Sequence, residues 1–413
     1  MFSNLEKNRL QIRLLSGMIN QVARELFPGA NHGLVKFEIT TKQHERMGSL
    51  LALYKKLVSE SSTGEKIWDF PMETIFALCN YFYNLNDSGS CLEILDCTIG
   101  SQPDKVRAVL FKAQIEERMG RDESVLSSCD RALGMDRDNV IALHQKGLVL
   151  ARLSRYNEAL ECFDRILDID GNNVPARYHK GIMLLEDNKL EALECFDRIT
   201  KIDSRHVPAL YNKGIMLLED NKLEALECFD RITKIDSRHV PALYNKGLIC
   251  EDLEHLEEAV ISYDAVLRIK QNHLPSLFHK GISLVKLGLH DFALDSFEKV
   301  LLVNPWHTVS LFNKGMLLSN MGKMKEAVAC FDIILTVDAG SIDALYRKGL
   351  ALESLGMMDE ALECYDRLIE LDVTHGSVLG HRGRLLSSIG RRKDAADCFE
   401  LASVPDTAGK NAL

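Results

Sequence analysis

A Lys-Gly pair that recurs at an almost constant spacing constrains the fold of this chain more than any other feature of the sequence. Seven such pairs, and one Arg-Gly pair in phase with them, follow each other at steps of 33 or 34 residues. Because a unit of this length cannot bury its apolar face alone, the period predicts stacked copies of one supersecondary unit. The glycines of these pairs are Gly147, Gly181, Gly214, Gly247, Gly281, Gly315, Gly349 and Gly383.

Each unit contains two apolar patterns with helical spacing. In the unit that begins at residue 140, Leu143, Gly147 and Leu150 mark one helix face. Ala159 and Phe163 mark a second face after a short turn. Helices of about a dozen residues are marginal on their own in water. Neighbouring units are therefore expected to stack and to stabilise one another.

Small residues mark the places where helices are expected to approach closely. A glycine in the middle of a helix costs roughly 1 kcal/mol relative to alanine, so its recurrence predicts close contact with the partner helix. The second pattern of each unit carries an alanine followed four residues later by an aromatic ring. The rings are Phe163, Phe196, Phe229, Tyr263, Phe297, Phe331, Tyr365 and Phe399.

The 34-residue step, the mid-helix glycine and the Ala-x-x-x-aromatic signature resemble the tetratricopeptide repeat (TPR) family over roughly residues 72–409. The family's early Trp is mostly Leu here, and its Leu before the glycine is Lys. The resemblance implies an all-α fold, a right-handed superhelical solenoid of about ten helix pairs, over residues 72–413. The units are expected to begin near residues 72, 106, 140, 174, 207, 240, 274, 308, 342 and 376.

Two neighbouring stretches, 181–213 and 214–246, are identical over 33 positions and are each one residue shorter than their neighbours. We expect their helices to persist, with a tighter turn between them. His206 and His239 are copies of one position, for which we expect a solvated loop.

Residues 1–71 lack the repeat signature and are predicted to form a short, mostly helical cap region. We expect helices over residues 5–26 and 41–60, with an extended segment at 34–40. Contact with a membrane surface is the alternative role for the first of these helices. The residues expected on its apolar side are Leu15, Met18, Ile19 and Val22.

Composition narrows the functional classes. The net charge is -10, and an acidic surface disfavours nucleic-acid binding. No secretory signal and no apolar run long enough to span a membrane are present, so we predict a cytoplasmic protein. The eleven cysteines form no Cys-x-x-Cys pair and no zinc spacing. No metal and no cofactor are expected, and the cysteines are interpreted as small buried residues.

No motif with catalytic spacing occurs, whether a phosphate-binding glycine loop, a nucleophile elbow or a His-Glu-x-x-His pair. Repeats and cap account for the whole length. The sequence therefore predicts a protein that is not an enzyme.

A candidate binding surface follows from the resemblance, because the first helices of TPR units line a concave groove that binds peptides or helices. An aromatic residue lies two positions before most of the lysines, and an aliphatic residue follows the glycine of each Lys-Gly pair, one helical turn away on the same face. Asparagines beside them are candidates to hold a bound backbone. The predicted site is Tyr178, Tyr211, Asn212, Tyr244, Asn245, Phe278, Phe312, Asn313 and Tyr346. The alternative is that these rings pack between adjacent helices.

The polar clamp with which some TPR co-chaperones hold a terminal carboxylate is absent, and the lysines of the Lys-Gly pairs are expected to extend into water. The sequence therefore predicts a scaffold that binds other proteins or peptide segments. The alternative is a regulator whose residues 1–71 contact a membrane or nucleic acid while the repeats sense a partner. Self-association through the C-terminal repeat is a third possibility.

Overall fold

The computed structural model of the chain describes residues 14–23, 25, 45–52, 72–101, 105–371 and 376–402, and all regular structure within them is helical. From residue 72 onwards the helices follow one another in pairs. They are α1 (Met72–Asn84), α2 (Ser88–Ser101), α3 (Lys105–Arg118), α4 (Asp122–Met135), α5 (Val140–Arg152), α6 (Tyr156–Ile169), α7 (Val174–Met183), α8 (Lys189–Ile202), α9 (Val207–Met216), α10 (Lys222–Ile235), α11 (Val240–Asp252), α12 (Leu256–Ile269), α13 (Leu274–Lys286), α14 (His290–Val303), α15 (Thr308–Asn320), α16 (Met324–Val337), α17 (Ile342–Ser354), α18 (Met358–Glu370), α19 (Gly376–Ser388) and α20 (Arg392–Ala402).

The chain divides into two compact units, residues 1–204 and 205–413. The first contains α1 to α8 and the second α9 to α20. Within each unit, every one of these helices packs against the helix before it and the helix after it. First helices of successive pairs also contact each other directly, as α11 does with α13 and α13 with α15. The predicted all-α architecture of TPR-like helix pairs is confirmed.

The mid-helix glycines give room to the ring of the second helix. A Cβ atom on Gly147 would lie 2.7 Å from Phe163 Cζ, and one on Gly281 would lie 2.6 Å from Phe297 Cε1. Both rings are fully buried. The predicted close approach is confirmed, and the buried ring offsets the weak helix propensity of glycine.

The helices of the two shortened repeats persist as expected, but the turn between them is not tighter, because five residues separate α7 from α8 and three separate α5 from α6. Their first helices, α7 and α9, have 10 residues each, whereas α5 has 13. The missing residue lies between the two helices of the repeat. The first helix ends about one turn earlier than α5 does, and the residues of that turn form the connection to the second helix. Leu184 and Leu217 are the C-caps.

The N-terminal residues that the structure describes pack onto the first repeat. Leu15, Ile19 and Val22 are buried in one core cluster with Ile75 and Phe76 of α1. This helical segment therefore packs its apolar face against α1, and its role as a cap stays a prediction. The next described helical segment, 45–52, contributes to the same cluster.

One residue of the predicted apolar side is misplaced, because Met18 is 51% exposed. It lies on the solvent side of the helix that buries Ile19. The extended segment predicted at 34–40 lies outside the described residues.

Most of the described first helices in the middle of the chain begin at a side-chain cap. Asn139 and Asn173 accept a hydrogen bond from the backbone N–H three residues later. In the next four repeats a histidine Nδ1 takes over this role and accepts from the N–H of residue 209, 242, 276 or 310. His206 and His239 lie in the loop before the helix, as expected, but they are partly buried there and act as N-caps. The four capping histidines are His206, His239, His273 and His307.

Candidate partner-binding surface

The sequence-predicted rings lie on the first helices and are partly exposed, each against the buried ring of its own repeat. Edge-on and tilted arrangements at such distances are favourable for aromatic pairs. The six centroid distances are 6.1 Å for Tyr178–Phe196, 5.9 Å for Tyr211–Phe229, 6.2 Å for Tyr244–Tyr263, 6.1 Å for Phe278–Phe297, 6.0 Å for Phe312–Phe331 and 6.5 Å for Tyr346–Tyr365.

Four of these rings also contact the next repeat, and one of the four is Tyr346, whose ring centroid lies 6.1 Å from that of His381. Tyr211 lies 5.6 Å from His239, and Tyr244 lies 5.4 Å from His273 between ring centroids. Phe278 lies 5.9 Å from the ring of His307. Each of these rings thus packs against neighbouring helices with one edge and exposes the other edge to solvent. The rings therefore contribute both to helix packing and to the exposed surface. Their role in binding a partner stays a prediction.

The aliphatic residues that follow the glycines lie one turn further along the same helices. Their side chains are partly buried or exposed. Ile215 is 38% exposed. On α13, Phe278 and Ile282 both border the core cluster around Phe297. The surface along each first helix is therefore aromatic and aliphatic. We call the set Tyr211, Ile215, Tyr244, Leu248, Phe278, Ile282, Phe312, Met316, Tyr346 and Leu350 the first-helix stripe.

The asparagines beside the stripe are engaged with their own helices. The side-chain amide of Asn212 donates to the Pro208 carbonyl at 2.9 Å. Asn245 does the same to Pro241 at 3.0 Å, and the equivalent bond of Asn313 is 2.8 Å long. These bonds fix the orientation of the amides next to the rings.

A Tyr–Glu–His network joins repeats at two places and was missed by the sequence analysis. Tyr263 Oη donates to Glu251 Oε2 at 2.9 Å, and His279 Nδ1 of the next first helix lies 3.2 Å from the same oxygen. Burial tends to raise the pKa of Glu251, but the hydrogen bonds from His279 and Tyr263 outweigh it and lower that pKa. The carboxylate is thereby held ionised and oriented.

The same network recurs three repeats later. Tyr365 Oη donates to Glu353 Oε1 at 3.1 Å, and His381 Nδ1 lies 3.0 Å from Glu353 Oε2. The signal in the sequence is a Tyr in place of Phe, with Glu twelve residues before it and His sixteen residues after it. Where the ring is Phe297 the residue twelve positions earlier is Val285, which cannot accept a hydrogen bond.

The lysines of the Lys-Gly pairs form ion pairs between repeats, so the expectation that they extend into water is wrong. Lys146 Nζ lies 2.7 Å from Asp130 of the preceding second helix, and the side chain of Lys146 is 26% exposed. Burial lowers the pKa of Lys146, but its hydrogen bond and charge interaction with Asp130 outweigh this and raise it. The other pairs between repeats are Lys180–Asp164, Lys246–Asp230, Lys280–Asp264, Lys314–Glu298 and Lys348–Asp332. Lys112–Asp96 and Arg382–Asp366 are the equivalent pairs of two repeats that lack a Lys-Gly pair. Lys213 pairs with Glu224 of its own repeat.

The described cysteines are buried and unbridged. Burial raises the pKa of Cys129 to about 12, and those of Cys228 and Cys250 to about 11. Thiols with such pKa values stay protonated at neutral pH and are poor nucleophiles. In the described part of the chain, no group of three or more His, Cys, Asp and Glu side chains has a metal-binding arrangement.

No helix among the described residues combines the length and the apolar character needed to cross a lipid bilayer.

Sequence comparison identifies the repeat. One profile of the tetratricopeptide repeat matches residues 342–375. A second profile of the same repeat matches residues 140–173, 240–273 and 309–339. No curated protein matches the sequence.

Several solved structures are similar to part of the chain. YrrB, described as a TPR protein with an unusual peptide-binding site, is 19% identical, with a TM-score of 0.43 over 46% of this chain and 98% of its own. A structure of MamA is 21% identical, with a TM-score of 0.37 over 39% of this chain and 90% of its own. MamA from Desulfovibrio magneticus RS-1 is 24% identical, with a TM-score of 0.38 over 40% of this chain and 92% of its own. None of these likenesses assigns a ligand to this chain.

Proposed function

This chain is a tetratricopeptide repeat protein, and on that premise we propose that it binds a peptide or helix of a partner protein along its first-helix stripe. A repeat array of this family is a scaffold for protein interaction. The observation that carries the finer proposal is the row of rings, each of which packs on one edge and leaves the other exposed.

The chemistry of the stripe favours apolar side chains in the partner. Each first helix offers one ring and one aliphatic side chain a turn apart, as Tyr244 and Leu248 do on α11. Aromatic residues held by packing lose little conformational freedom on binding, which is why they dominate the energetics of interfaces. The lysines that flank the rings are paired with acidic side chains, which disfavours an acidic peptide as ligand. We therefore expect a partner segment with regularly spaced apolar residues.

A displayed library of random peptides provides a probe that requires no knowledge of the natural partner. Peptides selected on the wild-type protein should bind the variant Tyr211→Ala/Tyr244→Ala/Phe278→Ala at least about tenfold more weakly, because three anchor rings are removed. Affinities are measured by titration calorimetry.

The matched control is Leu190→Ala/Leu223→Ala/Ile261→Ala, which removes three apolar side chains that are 82%, 67% and 64% exposed on second helices. Its peptide affinity should equal that of the wild type. If the ring variant keeps full affinity, or if it loses helix content in circular dichroism, the rings serve the core and the assignment is wrong.

A further inference from the structure

One second helix differs from the others at the positions that it exposes to solvent. Phe292 of α14 is 66% exposed. The residue just before the recurring alanine of the second helix is acidic in the other seven repeats that begin at 140 or later. Those residues are Glu158, Glu191, Glu224, Glu258, Glu326, Glu360 and Asp394.

Leu302, near the end of α14, shows the same exception and is 82% exposed. At the position five residues after the ring, the other described repeats from residue 140 onwards carry charged residues or a threonine. These are Asp168, Lys201, Lys234, Arg268, Thr336 and Glu370.

Trp306 lies in the turn that follows α14 and is 59% exposed. Its backbone N–H donates to Asn304 Oδ1 at 3.2 Å, which fixes the turn that presents the ring. Other repeats carry Asp, Asn, Arg, Gly or Thr at this position. An apolar patch confined to one repeat is not required by the fold, and patches of this kind mark interaction sites.

The patch also contains one acidic and one basic side chain, Asp295 and Lys299, which form an exposed ion pair with each other at 2.6 Å and whose arrangement is complementary to itself. Asp295 and Lys299 are exposed on the same face of α14 as Phe292 and Leu302, because these four residues are spaced by three, four and three positions. Asp295 and Lys299 each lie two residues from Phe297, on opposite sides of it, and Phe292 and Leu302 each lie five residues from it.

A second copy of α14 that runs antiparallel across a two-fold axis at Phe297 therefore meets its own complement. Each Asp295 faces Lys299 of the other copy, and each Phe292 faces Leu302. At the ends, Trp306 falls beside the exposed Leu289, which precedes α14 by one position. A two-fold interface requires this kind of self-complementary surface.

We propose that the outer face of α14 is a self-association surface through which two copies of this chain form an isologous dimer. The contact consists of a centre of two Asp295–Lys299 pairs, flanked on both sides by Phe292 and Leu302, with Trp306 as an anchor at each end. Tryptophan in a fixed turn is the kind of residue that dominates interface energies. The surface lies on a second helix, so it is separate from the first-helix stripe.

Sedimentation velocity and light scattering of the full chain over a range of concentrations test the proposal. The wild type should dimerise, and Phe292→Glu should weaken the dimer by about tenfold or more, because it places an acidic side chain in the apolar flank. Seven other repeats carry an acidic residue at this position, so the variant is expected to fold, and circular dichroism checks this. Leu190→Glu, at an 82% exposed apolar residue of α8, is the matched control and should dimerise like the wild type.

Charge reversal tests the antiparallel pairing itself. Asp295→Lys alone and Lys299→Asp alone should each weaken the dimer by about tenfold, because two attractive pairs become two repulsive ones. An equimolar mixture of the two variants should form a heterodimer, since every lysine then faces an aspartate. A wild type that stays monomeric, a dimer unaffected by Phe292→Glu, or a mixture that fails to associate overturns the proposal.

Discussion

At the scale of single residues, the space above the glycine of each Lys-Gly pair is filled by an aromatic ring that is fully buried. An added methyl group at Gly281 would lie 2.6 Å from the edge of Phe297, whose side chain is fully buried. Overpacking a closed core costs about 1–3 kcal/mol, and the gain in helix propensity returns at most about 1 kcal/mol. We expect Gly281→Ala to lower the free energy of unfolding by about 1 kcal/mol, measured by urea denaturation.

Gly134→Ala is the control for this prediction. Gly134 lies in α4, is exposed, and has no atom within 4 Å of the position of an added Cβ. The same substitution should there raise the free energy of unfolding by about 0.4–1 kcal/mol. If the two substitutions changed the free energy of unfolding equally, helix propensity and not the space taken by the ring would explain the glycine at position 281.

The sequence predicted this contact because glycine and ring recur in phase, but it did not predict the Tyr–Glu–His networks. Tyr263, Glu251 and His279 lie on three different helices. A helical period shows which side chains share a face of one helix. It does not show which side chains of the next helix meet them, and only two copies of the network occur among the described residues. A Tyr in place of Phe indicates the network only when a glutamate is known to lie within hydrogen-bonding distance of the Tyr hydroxyl.

At the scale of helices, the N-cap His273 couples the stability of its repeat to pH. His273 caps α13 through Nδ1, and this nitrogen accepts a hydrogen bond only when it is unprotonated. Burial, and to a smaller extent the positive charge of Lys270, lowers the pKa of His273. A pKa below the unfolded value means that the contribution to stability is full above that value, about 6.5, and is lost as the pH falls below it.

The variant His273→Asn isolates this contribution, because Asn139 and Asn173 cap other first helices with a group that does not titrate. We expect the wild type to lose stability relative to the variant as the pH falls below about 6.5. The loss is at most about 1 kcal/mol, the usual contribution of an N-cap, reduced by solvent screening of a partly exposed ring. Urea denaturation at each pH measures it, and parallel pH profiles of the two proteins would contradict the capping role.

The lysines show why contacts between helices are harder to predict than the helices themselves. The period placed Lys280 beside Gly281 on a first helix, and the interpretation stopped at the flank of that helix. In the structure Lys280 Nζ lies 2.6 Å from Asp264, sixteen residues earlier on the preceding second helix. The acidic partners recur at the same phase as the lysines, so the pairing was present in the sequence as a second repeat pattern.

At the scale of the whole molecule, the described N-terminal residues pack against the first repeat, and their role as a cap is a prediction. Ile19 is fully buried in the cluster that contains Ile75 and Phe76, whereas the adjacent Met18 is 51% exposed. We expect Ile19→Asp to expose α1, because a buried charge without a partner costs about 3 kcal/mol or more. Met18→Asp should change stability by no more than about 0.5 kcal/mol.

Hydrogen exchange of the α1 amides in the full chain measures this difference. Ile19→Asp should accelerate exchange in α1, and Met18→Asp should leave it unchanged. Equal protection of α1 in the two variants would mean that the N-terminal residues are not a cap, and would favour the alternative role in contact with a membrane or nucleic acid.

The fold was predictable because the same pattern is repeated, so that each copy supports the interpretation of the others. The candidate site was harder to predict from the sequence. The positions of Tyr244 and Phe278 on first helices followed from the period, but their contacts with His273 and His307 depend on where the next helix begins. The asparagine amides, expected beside a ligand, are turned onto their own helices. A pattern of residue types identifies the surface, but the orientation of each polar group is decided by neighbours outside that pattern.

The ion pair between successive repeats has a consequence for how such a chain changes its length. A repeat carries an acid on its second helix and a cation on its first, so both of its borders match any other repeat of the same kind. When a whole repeat is gained or lost, each remaining contact between consecutive repeats therefore still joins an acidic residue to a cation. When only part of a repeat is inserted, helices that do not carry the matching charges become neighbours. The identical stretches 181–213 and 214–246 are the outcome expected of growth in whole steps.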